Sequence, residues 1–309
     1  MFFRAITGGF KAAARRPGLV LLLWAWHTVL ALVVTLPAWA GIRTASEMLP
    51  ETDVLLRGVQ LGTLIELLQR DAGVVPMLLA TVAALVGVSL LSNAFLAGGM
   101  LEVLLAGDDR RLLHRFFRGA GHFFFRSLAL LAIAALFVVV VGGLAAAALS
   151  AALRPLAAGG SEAGGFLSGV LTLGVLALVA GVFMLALDYA RVVLVIGDRR
   201  GAVRTWFRAL RFVLVHPVAT GAIGILFAIL VLTTLWLAAW LPLQLGATEW
   251  RAILTAVAVQ QLLILARIGV RVSQIAAQAH LYELATPTPV PEPAAAPELN
   301  QGSAVEAGA

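Results

Sequence analysis

The chain has 309 residues, of which 61% are hydrophobic and 12% are charged, and its formal net charge is +6. A soluble domain carries about 25% charged residues, and no soluble fold of this length has an interior large enough for so much apolar side chain. The absence of cysteine excludes a disulfide framework, a thiolate metal site and a cysteine nucleophile. The composition therefore predicts an α-helical protein whose main solvent is lipid.

Six apolar stretches are long enough to cross a bilayer, which takes about 20 helical residues. They lie near 18–40, 74–106, 127–153, 166–196, 217–241 and 250–275. The first is longer than the apolar run of about 7–15 residues in a signal peptide, so we expect it to be retained as a membrane span. We predict an all-α integral membrane protein with six transmembrane helices in a domain over 18–285, preceded by an amphipathic interfacial segment over 1–17.

Two further segments differ in character from the spans. From 53 to 70 the apolar residues recur at three- and four-residue steps, which predicts an amphipathic helix on the outer face of the membrane. Residues 286–309 are rich in proline, alanine and glutamate and cannot bury a core, so we predict a disordered tail.

The distribution of arginine predicts the orientation. The N-terminal arm and the second and fourth connections between spans are strongly basic, whereas the first, third and fifth are not. By the positive-inside rule both termini are then cytoplasmic. Lys11 is the single lysine, and such a bias toward arginine is commonest in bacterial genomes of high GC content. We therefore expect a multi-pass protein of the bacterial cytoplasmic (inner) membrane.

A duplication with a period of 90 residues is the most informative pattern in the chain: Gly107-Asp108 and Gly197-Asp198 each end a span and are followed by the same element at the same offset, and a third copy of that element precedes the first span. Its mark is a pair of aromatic residues followed by arginine. This element occurs at Phe2, Phe3 and Arg4, at Phe116, Phe117 and Arg118, and at Trp206, Phe207 and Arg208. Because each period contains two spans, all copies share one orientation, and we predict three parallel two-helix repeats, each preceded by a short cytoplasmic interfacial helix.

Aromatic rings favour the membrane interface, and the planar fork of arginine can bind lipid phosphate. We therefore expect these nine side chains to contact membrane lipids, with anionic headgroups of the inner leaflet rather than nucleic acid as the partner of the positive charge. The alternative is that the segments are ordinary basic loops that merely obey the topology.

The layout of three aromatic-basic segments, six spans and a last helix running into His280, Leu281, Tyr282, Glu283 and Leu284 resembles a group of bacterial membrane domains. That group includes the membrane-anchor domain of some glycerophosphodiester phosphodiesterases and related inner-membrane proteins. The resemblance covers residues 1–285 and implies a six-helix inner-membrane domain. This sequence carries no phosphodiesterase domain beside the spans, so the resemblance does not extend to that activity.

A group of polar residues lies where lipid makes charge costly, near the predicted inner leaflet. Its members are Glu102, Asp188, Arg191, Arg267, Arg271 and Gln274. Helical spacing places Asp188 with Arg191, and Arg267 with Arg271, on common faces, so we predict that Asp188 pairs with Arg191 and with the Arg267–Arg271 face. The group either locks helices together or lines a basic pocket for an anion.

His27 lies within the first span, where imidazole could relay protons or bind a metal. With no second histidine or carboxylate within a helical turn, we instead expect a buried hydrogen bond to Asn93 or Gln260. Recognised catalytic motifs such as HExxH, GxSxG and the Walker A lysine are missing.

The sequence accordingly predicts a protein that is not an enzyme and holds no metal or cofactor, with a structural or accessory role in the membrane. The alternative is a transporter or channel-like component for a small or lipidic anion. An apolar centre of the helix bundle would favour the first function, and a water-accessible cavity reaching Arg267 would favour the second.

Overall fold

A computed structural model describes residues 1–47, 74–106, 111–158, 162–197, 201–244 and 250–286. These residues form α-helices and short turns and contain no strand. The helices are α1 (Phe2–Ala14), α2 (Pro17–Glu47), α3 (Val74–Leu105), α4 (Leu112–Ala158), α5 (Glu162–Ile196), α6 (Ala202–Val215), α7 (Pro217–Gln244) and α8 (Trp250–Ala285). The predicted outer helix near 53–70 and the tail from 287 onward lie outside the described residues.

Length and apolar composition qualify five of the described helices as membrane spans, namely α3, α4, α5, α7 and α8. The helix pair α1 and α2 is bent by 73°, and counting the pair as one span raises the number to six. The prediction of an all-helical, multi-pass membrane protein is therefore confirmed. These helices can cross lipid because each one satisfies its backbone hydrogen bonds internally.

Proline determines where an amphipathic segment becomes a separate helix. Pro17 begins α2 and Pro217 begins α7, and neither can donate a backbone hydrogen bond to the helix before it. Ser127 stands one repeat period before Pro217, and there α4 continues without a break through all 47 of its residues. The prediction of a short separate helix before the third span is thus wrong, because the amphipathic segment forms the first turns of one long helix.

Each amphipathic segment packs against the C-terminal part of an apolar helix. The start of α4 packs on α3, α6 packs on α5, and α1 packs on α8, so the two ends of the described chain meet. At the last of these contacts the backbones approach closely. A Cβ atom at Gly9 would lie 2.5 Å from the carbonyl oxygen of Ser273 and 2.8 Å from the Cβ of Ala277.

The three aromatic-aromatic-arginine segments also bury the same helical face. Three residues after the first aromatic position, Ala5, Gly119 and Ala209 are all buried. Four residues further on, Gly9, Phe123 and Val213 are buried as well. Steps of three and four residues keep one helical face toward the core, so the segments share an amphipathic phase as well as a motif.

We predict that alanine substitutions at two glycines change stability in opposite directions. Glycine within a helix is less stable than alanine by roughly 0.5–1 kcal/mol, so Gly169→Ala in α5, where a Cβ meets open space, should stabilise the protein. Gly9→Ala should instead destabilise it by about 1–3 kcal/mol, because the new methyl group collides with the backbone of α8. Thermal unfolding in detergent measures both, and a stabilising Gly9→Ala would contradict the close packing of α1 on α8.

Candidate functional site

The strongest polar contact between described helices joins α5 to α8. Arg271 donates from Nη2 to Oδ1 of Asp188 at 2.8 Å and from Nη1 to Oδ2 at 2.9 Å. Two parallel hydrogen bonds between a guanidinium and a carboxylate fix both the distance and the orientation of the two side chains. Arg271 also donates to Oε1 of Gln274 at 3.0 Å. The predicted pairing of Asp188 with the last span is confirmed through Arg271.

Arg191 extends this contact to a third helix. Its Nη1 donates to Oδ1 of Asn93 on α3 at 3.0 Å and lies 3.7 Å from Oδ1 of Asp188. The Arg191 side chain is only 5% exposed, and its Nε is buried without a hydrogen-bond partner among the described residues. The predicted Asp188–Arg191 pair is confirmed, and Asn93, Asp188, Arg191, Arg271 and Gln274 form one network, which we call the polar network.

Glu102 does not belong to the polar network. It accepts a hydrogen bond from Nη2 of Arg118 at 2.6 Å, and its side chain packs against Gly119 of α4. Nine residues separate it from Asn93, which is two and a half helical turns, so the two side chains leave α3 on opposite sides. The prediction that Glu102 shares a site with Asp188 is therefore wrong.

Charge in the polar network does not balance. Two arginines, Arg191 and Arg271, share the single carboxylate of Asp188. One helical turn before Arg271 on α8, Arg267 is exposed and has no hydrogen bond or ion pair with any described residue. The predicted pairing of Asp188 thus includes Arg271 and omits Arg267. Three arginines, Arg191, Arg267 and Arg271, therefore stand against one carboxylate, which is an excess of two positive charges among the described residues.

A groove of about 670 Å³ lies beside these charges, mainly between α2, α3 and α8. Arg267 and Arg271 line it from α8, and His27 and Asn93 line it from α2 and α3. Leucine, isoleucine, valine and methionine side chains form most of the remaining wall. An apolar pocket with a few convergent polar groups is typical of a binding site, and this volume lies within the range of about 300–1,000 Å³ that ligand pockets occupy.

His27 bonds within its own helix. Its Nδ1 lies 2.7 Å from the carbonyl oxygen of Leu23, and because a carbonyl only accepts, Nδ1 is the donor and carries the proton. Asn93 is held by Arg191 instead, and Gln260 is exposed. The expected hydrogen bond from His27 to either residue is therefore wrong. Among the described residues, no group of three histidine, aspartate or glutamate side chains suited to a metal ion is found.

Two tryptophans of α2 make the hydrogen bonds between helices that sequence reasoning missed. Nε1 of Trp24 donates to Oε1 of Gln261 at 2.9 Å, and Nε1 of Trp26 donates to Oγ of Ser92 at 2.8 Å. An indole N–H buried in an apolar setting needs an acceptor, and that need was the signal available in the sequence. The identity of each acceptor depends on the packing of α2 against α3 and α8.

The aromatic pairs of the repeat divide between core and surface. Phe116 is 1% exposed and Trp206 is fully buried, whereas Phe3, Phe117 and Phe207 are 78%, 46% and 53% exposed. Consecutive residues of a helix point about 100° apart, so only one ring of each pair can face outward. The prediction of lipid contact is wrong for Phe116 and Trp206, and Phe2 is partly buried. Arg4 and Arg208 are exposed, and Arg118 pairs with Glu102.

Comparisons with protein-family models, with curated proteins and with solved structures find no match to this chain. The resemblance to the membrane-anchor domains of glycerophosphodiester phosphodiesterases accordingly stays a prediction.

We predict that the polar network stabilises the fold through Asp188. Asp188→Asn leaves Arg271 unpaired in a largely buried position, which should lower the free energy of unfolding by about 3–5 kcal/mol. Adding Arg271→Gln removes one of the two charges that Asp188→Asn leaves uncompensated, the other being Arg191, and should recover part of the loss. Unfolding by denaturant in detergent measures each variant.

Glu102→Gln is the matched control, because it makes the same kind of change at the more exposed ion pair with Arg118. Its effect should stay below about 1 kcal/mol. Equal stability of Asp188→Asn and Glu102→Gln would show that the Asp188 pair contributes no more than a surface contact.

Proposed function

We propose that this protein binds a small or lipidic anion inside the membrane and acts as a transporter or channel-like component without enzymatic activity. One observation carries the proposal, namely that Arg267 presents a charge with no described partner to the wall of the groove between α2, α3 and α8. Arg271 lines the same groove and is engaged by Asp188, so Arg267 is the cation that an entering anion can bind.

The position of Arg267 makes an unpaired charge costly. It follows Trp250, the first residue of α8, by 17 residues, or roughly 25 Å at helical rise, and lies between Ile264 and Ile268 on an apolar helix. Insertion experiments give about 2.5–3.5 kcal/mol for arginine at the centre of a membrane helix, which is the upper bound for Arg267 at its predicted depth near the inner leaflet. An anion in the groove, together with the water that accompanies it, offsets this cost.

A structural or accessory role is the second candidate, and the polar network favours it. Asp188 and Arg271 hold α5 to α8, and Asn93 joins α3 to them through Arg191. Holding the helices together is a sufficient reason for all five polar residues of the network to be present. It does not account for Arg267, which contributes no contact to the network, and we therefore place anion binding first.

The same proposal includes six membrane spans, cytoplasmic termini and a location in the bacterial inner membrane. Its support is the positive-inside rule applied to the basic connections, with α1 and α2 counted as the first spanning unit. The shared burial phase of the three aromatic-aromatic-arginine segments supports a threefold parallel repeat. In that arrangement the exposed members Phe3, Phe117 and Phe207 contact the lipids of the inner leaflet.

We predict that the groove attracts small anions because of Arg267. The chain has no cysteine of its own, so Ser89→Cys places a single reporter in the groove wall, where a fluorophore can be attached. Removing a unit charge about 10 Å away changes the local anion concentration about two-fold even at the dielectric constant of water. Arg267→Gln should therefore reduce quenching by iodide about two-fold or more and leave quenching by neutral acrylamide unchanged.

Arg251→Gln removes an exposed charge on α8, outside the groove, and should change neither quenching rate. Iodide quenching that does not respond to Arg267→Gln, or a reporter that acrylamide cannot reach, would contradict the proposed function.

A further inference from the structure

The groove is elongated along the helices that form it. On α2 its lining runs from Leu23 to Thr35, and on α3 it runs from Leu85 to Met100. At helical rise these stretches measure roughly 18 Å and 22 Å. A small inorganic anion fills only a short part of such a site.

The groove changes in chemistry along its length, and contacts between α2 and α3 show which residues lie at the same level. Leu23 clusters with Leu96 and Met100, while Trp26 bonds Ser92, so the two helices run in opposite directions. Residues after Trp26 on α2 therefore lie beside residues before Ser92 on α3.

Midway along the α3 lining, about 11 Å from Met100 and about 12 Å from Leu85, the wall is polar at Asn93. Asn93 is joined to Asp188 and Arg271 through Arg191, which places the arginine pair of α8 near the level of Asn93. Arg267 lies one helical turn before Arg271, in the same wall. An anionic group in this part of the groove meets a guanidinium that has no described partner.

From this level toward Leu85 the wall is mainly apolar, with Ser89 and Thr35 as its polar members. Leu85 and Val88 precede Asn93 on α3 by roughly 7–12 Å, and Leu30 and Ala31 follow Trp26 on α2 by roughly 6–8 Å in the same direction. These side chains are partly or fully exposed within the described residues, so a ligand in the groove can contact them.

We propose that the ligand is an amphiphile, with a phosphate or carboxylate head on Arg267 and a hydrocarbon chain extending between α2 and α3 toward Leu30 and Val88. This inference rests on the proposed function and narrows it to lipidic anions. The planar guanidinium fork matches both phosphate and carboxylate oxygens. Hydrocarbon bound along the apolar wall contributes affinity with each buried methylene group, about four-fold per group for complete burial.

The test is a titration of alkyl phosphates against the unlabelled full chain in nanodiscs of neutral phosphatidylcholine, read by isothermal titration calorimetry with empty nanodiscs as the reference for partitioning. The probes are inorganic phosphate, hexyl phosphate, octyl phosphate, decyl phosphate and the uncharged decanol. Affinity referred to the aqueous probe should rise by up to about four-fold per methylene group, and because partitioning into the bilayer has the same origin, the part that the groove adds is the difference between the wild type and a variant whose apolar wall is filled. Arg267→Gln should weaken decyl phosphate at least about ten-fold, which corresponds to 1.4 kcal/mol, and Arg251→Gln should not.

A second variant tests the apolar end of the groove, the stretch from Asn93 toward Leu85, separately. Val88→Trp fills that end and should remove the dependence on chain length while leaving iodide quenching sensitive to Arg267. Leu30→Trp makes the same test from α2, so one of the two suffices if the other fails to fold.

Each alternative outcome contradicts a different statement. Inorganic phosphate binding as tightly as decyl phosphate would overturn the amphiphile and leave the proposed anion binding intact. Decanol binding as tightly as decyl phosphate would overturn recognition of the head by Arg267. The absence of binding by every probe, together with iodide quenching that ignores Arg267, would overturn the proposed function itself.

Discussion

The ion pair between Asp188 and Arg271 is the contact on which the polar architecture of this protein depends. A carboxylate on an apolar helix is stable only if its charge is matched, and Arg271 matches it with two hydrogen bonds of 2.8 and 2.9 Å. The pair fixes α5 against α8, and the geometry of α8 then places Arg267 one turn away in the groove wall. Because Asp188 engages Arg271 and lies near Arg191, its charge is not available to Arg267.

The second organising feature is the way amphipathic segments pack on the C-terminal parts of apolar helices. Glycine allows this packing at two of the three places, at Gly9 against α8 and at Gly98 and Gly99 against the first turns of α4. At the third, Trp206 fills the space with an indole ring stacked 6.2 Å from Phe183. The pairing of α1 with α8 brings together residues that are far apart in sequence and leaves the groove beside the last helix.

The helices can be predicted from sequence because hydropathy is a property of each segment by itself. The pairing of Asp188 with the last span can be predicted too, because helical rise gives the depth of each residue along its own helix and the two depths match. The errors of prediction concern faces and neighbours. Depth alone places Glu102 with Asp188, but the side chain of Glu102 leaves α3 on the side that faces α4. Phe116 and Trp206 were assigned to lipid because aromatic composition does not distinguish the ring that packs inward from the one that faces out. The bond of His27 to Leu23 depends on a local rotamer, which no pattern in the sequence encodes.

Arg267 is a cation without a partner among the described residues, and we propose that its groove receives an anion. Determining the structure of the full chain by electron cryo-microscopy in nanodiscs that contain anionic lipid tests this claim most directly. We predict non-protein density within hydrogen-bond distance of the Arg267 guanidinium, continuing along the apolar wall beside Val88, with the Asp188–Arg271 pair intact. Pairing of Arg267 with one of the protein's own carboxylates, in a groove that the protein's own side chains fill, would contradict the binding of an anion at Arg267.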